Sequence, residues 1–367
     1  MSEADRLLPT TMVGSWPRPR WFRHQLDGRD LLEAFKSYEH TEAYCDATRC
    51  AIRDQLAAGL DLVTDGQMWF DDYHMGIGAF FWYWFERIGG LGREKLPHPQ
   101  RKAARGIDVF IMDEAGTVAV RGEVTHGPLR LRQLFEIAQA ESDRPVKACV
   151  GAGAVQLATL AHFESGPVKN SYDFAAALAG IFNREMRELA GAGCRFIQLE
   201  DLGAWIPNLS GEKDFRWVAQ TVDAMLAGVD ARRSWHFCMG NAWGNRLDAM
   251  TRGGYAKILP RYFEVDCEEY VLDFACREIE DAKLLADLPK EKRVAVGVID
   301  VRSLEIEQPE QVAGRVRKVL RHIDAERVTL TTDCGMKQLP RPVARGKLAS
   351  LVQGARIVRR EITGREE

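Results

Sequence analysis

The sequence predicts an α/β fold, a (β/α)8 TIM barrel with a long insertion between strands 2 and 3. Three observations carry this. Short apolar, β-rich runs alternate with helical patterns along most of the chain, and repeated βα units force parallel strands with right-handed crossovers. Eight such units are present, the number that closes a barrel of ~250 residues plus insertions. No GxGxxG follows a strand, so the nucleotide signal of the competing architecture, a doubly wound open sheet, is absent.

In order, the predicted strands are 11–16, 60–65, 146–150, 196–200, 234–239, 269–274, 294–300 and 328–332. Helical patterns fall between them at 41–58, 172–192, 213–227, 254–263, 276–285, 309–322 and 343–358. Several stop on glycine or small polar residues, as helix ends do. The last has the i, i+3/i+4 apolar spacing of an amphipathic helix. The chain reads as one barrel, 1–367, with one insertion, 67–143. That insertion holds an aromatic run, MGIGAFFWYWF at 75–85, and an expected hairpin, VFIMDEAGTVAVRGEV at 109–124, turning near Glu114–Gly116. There is no internal repeat, low-complexity segment or clear linker.

The net charge of −3 and 46% hydrophobic residues are those of an ordinary globular chain. They give no reason to expect a nucleic acid or an anionic membrane as partner. The N-terminus lacks the basic and apolar regions of a signal peptide, and no run of 18 apolar residues occurs. A cytoplasmic location is expected. The eight cysteines form no CxxC pair. In a cytosolic chain an even count does not imply disulfides, and most read as small buried hydrophobes.

In a barrel, chemistry gathers at the C-terminal ends of the strands. Those ends carry Ser15, then Asp65 and Gln67, then Glu200 and Asp201. Next come His236 and Cys238, Asp273, Asp300 with Arg302, and finally Asp333 with Cys334. Residues i and i+2 of a strand share a side, so His236 and Cys238 can face one metal ion, with Cys334 converging on the same mouth. One nitrogen and two sulfurs favour zinc. Asp273 or an incoming substrate would take the fourth position. On spacing alone the alternative stays open: a hydrogen-bonded core histidine and two buried thiols.

Several segments resemble the C-terminal catalytic barrel of cobalamin-independent methionine synthase. They are LPTTMVGSWPRP (8–19), GLDLVTDGQ (59–67), FIQLED (196–201), HFCMGN (236–241), VGVIDVRS (296–303) and TDCGMKQLPRPVARGKL (332–348). HxC together with DCGxKxLPR is the specific part. The similarity runs in the same order over nearly the whole chain and matches the short, single-barrel members, which include archaeal-type methyltransferases and epoxyalkane:coenzyme M transferases.

The resemblance implies a zinc-dependent methyltransferase of methionine biosynthesis. Zinc would be held by His236, Cys238 and Cys334, with Asp273 where the family usually has Glu. It would lower the pKa of a substrate thiol, homocysteine or a related one, so that the thiolate attacks an activated methyl carbon. The donor stays open among methyltetrahydrofolate, a methylcorrinoid protein and an O-methylated aromatic. Ser15, Gln67, Glu200 and Asp201 are the implied substrate-binding residues, Asp300 and Arg302 the implied catalytic ones.

Three departures from the family pattern stand out. Gln67 is neutral where the family has Glu, Glu200-Asp201 lacks the family's following proline, and Arg302 stands where a proton-donating His is usual. A neutral Gln gives up an ion pair with an ammonium group, ~1.5–3 kcal/mol. Arg is no proton donor at neutral pH but holds carboxylate or sulfonate well. Two alternatives follow: a thiol alkyltransferase or lyase adding coenzyme M or a similar thiol to an epoxide, and a zinc-binding barrel without catalysis.

Other features have two readings each. Asp65, Asp71 and Asp72 form either a polar cluster at the mouth or helix caps. The aromatic run is either a wall for a flat donor or a core helix or subunit interface. Trp16, Trp21, Trp205 and Trp243 either line a pocket or pack the rim. The tail RREITGREE reads as a frayed helix end. A homodimer is compatible with the sequence but nothing in it demands one.

Overall fold

The computed structural model describes residues 6–22, 38–70, 79–98, 102, 112–113, 115–207, 214–241, 244, 246, 251 and 253–365. The chain opens with helix α1 (Tyr38–Ala58) and the short α2 (Ala79–Phe85). Strands β1 (Gly89–Leu91) and β2 (Val118–Thr125), helix α3 (Leu131–Ala140), strand β3 (Ala148–Gly151), helix α4 (Ala154–Ala158) and strand β4 (Ala161–Phe163) follow. A regular alternation then runs through α5 (Ser171–Gly191), β5 (Phe196–Glu200), α6 (Arg216–Leu226), β6 (Arg232–Phe237) and β7 (Glu269–Leu272). It ends with β8 (Arg293–Ile299), α7 (Pro309–Val319), β9 (Val328–Thr332) and α8 (Arg341–Thr363).

The main sheet has six strands in the order β3-β5-β6-β7-β8-β9, every pairing parallel. These are the last six predicted strands, in sequence order. β7 and β9 are buried at every position, because a parallel sheet is covered on both faces and its strands read as continuous apolar runs. α1, α5 and α8 match the predicted helices within about three residues at their starts.

The first two predicted strands are corrected. They contribute only isolated parallel bridges, Thr10 to Leu330 on β9 and Val63 to Val146 before β3. Backbone bonds to the neighbouring segments are present but few, among them Thr11 N–H to Leu330 O at 2.9 Å and Lys147 N–H to Val63 O at 2.8 Å, and at other positions side chains interrupt the ladder. Thr10 N–H donates to Asp61 Oδ2 at 2.8 Å, Val13 N–H to Thr332 Oγ1 at 3.2 Å, and Thr64 N–H to Gln55 Oε1 at 2.8 Å. Both segments nonetheless lie between the sheet's two edges: Asp61 and Leu62 N–H both donate to Thr10 O at 3.0 Å.

The expected hairpin is corrected too. Its second half is β2, but the antiparallel partner is β1, and β4 pairs parallel on the other side. Met112, Asp113 and Ala115 are helical, and Glu114 lies outside the described residues. The period-2 pattern of β2 was visible, whereas a three-residue Gly-Gly-Leu strand carries no pattern. The helices predicted at 254–263 and 276–285 are short 3-10 turns. Positive φ at Gly253, Gly254, Glu278 and Ile279 breaks each into pieces, as does Pro260, which cannot donate a helical bond. No helix among the described residues is long and apolar enough to cross a membrane.

Candidate metal centre

Each βα unit ends its strand at the same side of the sheet, so residues just past the C-termini meet there. His236 is the last residue but one of β6, Cys238 follows its end, and Cys334 follows β9. Their ligand atoms lie within 4.8 Å of one another, with the two Sγ atoms 3.3 Å apart. His236 and Cys238 are buried and Cys334 is nearly so. One thiol donates to the other across that gap. The bond draws the Cys334 thiol below its ordinary value and, with burial, pushes Cys238 well above. Gly240 N–H donates to Cys238 Sγ at 3.2 Å, which favours a negatively charged sulfur.

Cys334 is held from three sides. Its carbonyl accepts from Thr332 Oγ1 at 2.8 Å, and Met336 N–H donates to Ser15 O at 2.7 Å. Gly335 is required between them, since a Cβ there would lie 2.1 Å from Ser15 Oγ. Cys238 is steadied by Trp205, whose indole N–H donates to its carbonyl at 3.0 Å. Tyr255 OH donates to Phe237 O at 2.6 Å and accepts from Asp273 N–H at 2.8 Å. Trp205, Tyr255 and Gly240 were not singled out by sequence as supports; their role depends on where loops return.

Asp273, just past β7, stands outside the three-ligand cluster. Its Oδ1 lies 3.0 Å from His236 Nε2, and Oδ2 accepts from Met239 N–H at 3.0 Å and Arg302 at 2.7 Å. Burial works against each charge, but the mutual bond prevails: the imidazole is raised and the carboxyl lowered. Arg302 also donates twice to Gly240 O, at 2.8 and 2.5 Å, and once to Asp333 at 3.3 Å. Its fork is thus largely engaged inside the protein. Asp333 accepts from Ala275 and Cys276 N–H at 2.9 and 2.7 Å, and burial pushes its carboxyl well up.

The other predicted site residues divide. Glu200 and Gln67 meet, with Gln67 Nε2 donating to Glu200 Oε2 at 3.1 Å; burial raises the Glu200 carboxyl. Glu200 pairs with His236 in register, one strand away. Asp201 is turned elsewhere. Its oxygens accept from Gly203, Val155 and Gln156 N–H at 2.7, 3.0 and 3.0 Å, capping α4. Asp300 accepts from Arg302 N–H at 2.9 Å. It lines a cavity of about 380 Å³ with Glu278, Glu305, Glu307 and Arg315, apart from the metal-ligand set. Asp65 is buried and accepts from Gln67 N–H; Asp71, Asp72 and Trp243 lie outside the described residues. Trp16 and Trp205 are buried, and so are Phe81 to Phe85 of the aromatic run, as in a core helix.

The chain is a mixed α/β protein with a parallel sheet that gathers an imidazole and two thiols at the C-terminal ends of its strands, where parallel α/β folds place their sites. Residues 115–357 match the family model "Cobalamin-independent synthase, Catalytic domain", and the chain belongs to that enzyme family. It is 27% identical to methionine synthase of Saccharolobus solfataricus, over 97% of this chain and 96% of that one. It is 29% identical to 2-hydroxypropyl-CoM lyase of Xanthobacter autotrophicus, over 98% and 96%. A solved B12-independent methionine synthase from Shewanella sp. W3-18-1, in complex with selenomethionine, superposes with a TM-score of 0.78 at 25% identity, covering 98% of this chain and all of that one.

Proposed function

We propose that the chain is a zinc-dependent thiol S-methyltransferase, transferring a methyl group to a metal-bound thiol, homocysteine or a related one. The observation that carries the reading is the convergence of His236, Cys238 and Cys334 within 4.8 Å in a member of this family. The donor set fits zinc: soft sulfurs with an imidazole, largely removed from solvent. Zinc would be held by these three, with the fourth position left to the substrate thiol, since both Asp273 oxygens are engaged by His236, Met239 and Arg302. When bound it supplies Lewis-acid activation that keeps a thiol deprotonated near neutral pH.

The chain's own residues do the rest. Asp273 orients the His236 ring, as carboxylates beside ligand imidazoles do. Ser15, against Gly335, offers its backbone N–H to a substrate carboxylate, and Gln67 and Glu200 face its amino end. Arg302 positions Asp273, and Asp300, which lies apart from the metal-ligand set, holds the Arg302 backbone N–H. We further infer that the segments around Thr10 and Val63 complete an eight-membered (β/α)8 ring with the six strands, and that 67–143 is an insertion on this single unit. Methyltetrahydrofolate and a methylcorrinoid protein are the donors to try.

The test is anaerobic incubation of zinc-loaded protein with homocysteine and each donor, followed by mass spectrometry. Methionine should form only when thiol and donor are both present, and not with Cys334→Ala. A second reading, thiol addition to an epoxide, is favoured by the neutral Gln67 and by the resemblance to the Xanthobacter lyase. A thioether formed from coenzyme M and epoxypropane, with no methyl transfer from either donor, would replace the first reading with the second.

A further inference from the structure

The two cysteines of the metal-ligand set touch each other. Cys238 Sγ and Cys334 Sγ are 3.3 Å apart, although β6 and β9, which they follow, are separated by β7 and β8. All eight cysteines are free of disulfides, and among the described residues no other two share a hydrogen bond. Cys149 and Cys194 give their thiols to backbone carbonyls, Val13 O at 2.7 Å and Phe196 O at 3.3 Å. Cys276 gives its own to Asp273 O at 3.6 Å.

Two sulfurs on one tetrahedral zinc stand ~3.8 Å apart, each ~2.3 Å from the metal. Two sulfurs in a disulfide are ~2.05 Å apart. The observed 3.3 Å lies between these, so closing to a disulfide takes roughly 1.2 Å of travel shared by two side chains. The pair also differs in access. Cys238 is 5% exposed, and Cys334 is the more open of the two. An oxidant arriving from solvent therefore meets Cys334 first, with the Cys238 sulfur already in contact behind it.

We propose that Cys238 and Cys334 form an oxidative modification site: a small hydroperoxide converts the pair to a disulfide and so discharges the zinc, and a dithiol reverses the change. The discharge rests on the zinc reading above; the disulfide itself does not. The Cys334 sulfur attacks one peroxide oxygen and the O–O bond breaks. The leaving hydroxide becomes water with the Cys334 proton or, where zinc held the thiolate, with one from solvent. Cys334 is then a sulfenic acid, which condenses with a neighbouring thiol. The Cys238 sulfur attacks it, the S–S bond forms, the S–O bond breaks, and a second water leaves with a proton from the same sources. Two electrons pass from the sulfurs to the peroxide, and the metal loses both sulfur ligands. A dithiol returns the electrons by exchange.

The test treats the zinc-loaded full chain with a small excess of hydrogen peroxide. A chromogenic chelator follows zinc release, and peptides are mapped by mass spectrometry without reductant. About one zinc per chain should be released, in step with a linked Cys238–Cys334 peptide lighter by two hydrogens than its parts. Dithiothreitol followed by fresh zinc should restore full occupancy. Three results would overturn the proposal: zinc retained with both thiols unreacted, a Cys334 sulfinic acid beside a reduced Cys238, or a link through Cys149 or Cys276.

Metal-free protein forms a second arm, and the same link should form there at least as fast, since no metal competes for the sulfurs. Cys238→Ser removes the second thiol, so Cys334 should go on to the sulfinic acid, whereas Cys276→Ser should form the link as the parent does. If Cys238→Ser does not fold, dimedone added to the parent with peroxide answers the same question: it should trap a sulfenic acid at Cys334, and one trapped at Cys238 instead would refute the order of attack. If the parent takes up no zinc, the function proposed above fails, while the metal-free arm still decides the disulfide.

Discussion

Replacing Arg302 by methionine strips one cation from between two fully buried carboxylates. The Arg302 side chain is 5% exposed and those of Asp273 and Asp333 are 0%. The substitution removes the 2.7 Å contact to Asp273, the 3.3 Å contact to Asp333 and both bonds to Gly240 O. Breaking a buried pair by deleting one partner costs ~3–5 kcal/mol, because the remaining charge is stranded. Here both carboxylates keep other donors, Asp273 from His236 and Met239 and Asp333 from Ala275 and Cys276. The cost should therefore fall at the low end, ~3 kcal/mol. Urea unfolding of metal-free protein measures it. Arg302→Met/Asp333→Asn should recover part of the loss, since one stranded charge is gone, and Arg302→Lys should retain about half because it keeps charge without the fork. A loss below ~1 kcal/mol for Arg302→Met would refute the clamp; Arg302 would then be free to meet substrate as the sequence suggested.

Asp201→Ala leaves the buried amides of Gly203 and Val155 and the part-buried amide of Gln156 without acceptors, and should cost ~3 kcal/mol in unfolding free energy with homocysteine affinity unchanged. Loss of affinity without loss of stability would return Asp201 to the substrate pocket. Burial pushes the Asp65 carboxyl up to about 6. The folded chain therefore binds that proton more tightly than the unfolded one, and this contribution is full below pH ~4 and lost as pH rises to ~6. Asp65→Asn should flatten the stability–pH curve across that window and raise stability at pH 7 by ~2–3 kcal/mol. An unchanged slope between pH 4 and 6 in that variant contradicts the assignment.

Legibility in the sequence followed burial. β3 and β5 to β9 are covered on both faces, so their apolar runs stood out and their order along the chain became their order in the sheet. The segments at Thr10 and Val63 looked alike in composition, but their pairing is reduced to single bridges, with side chains such as Asp61, Thr332 and Gln55 accepting from part of their backbone, an interruption no periodicity reveals. His236 and Cys238 were readable because strand geometry places i and i+2 together, and Cys334 because all strand ends face one side. Asp201 was not, because its partners lie in another βα unit. Arg302 was recognised as a departure from the family, yet only the structure shows Asp273, Asp333 and Gly240 occupying its fork.

The most direct measurement is zinc-edge X-ray absorption on anaerobically prepared, zinc-loaded protein, alone and with homocysteine. The account predicts about one zinc per chain, two sulfurs and an imidazole in its shell, a third sulfur on adding thiol, and loss of the metal in Cys238→Ala or Cys334→Ala. Protein that takes up no zinc, or a shell that holds no cysteine sulfur, would contradict it.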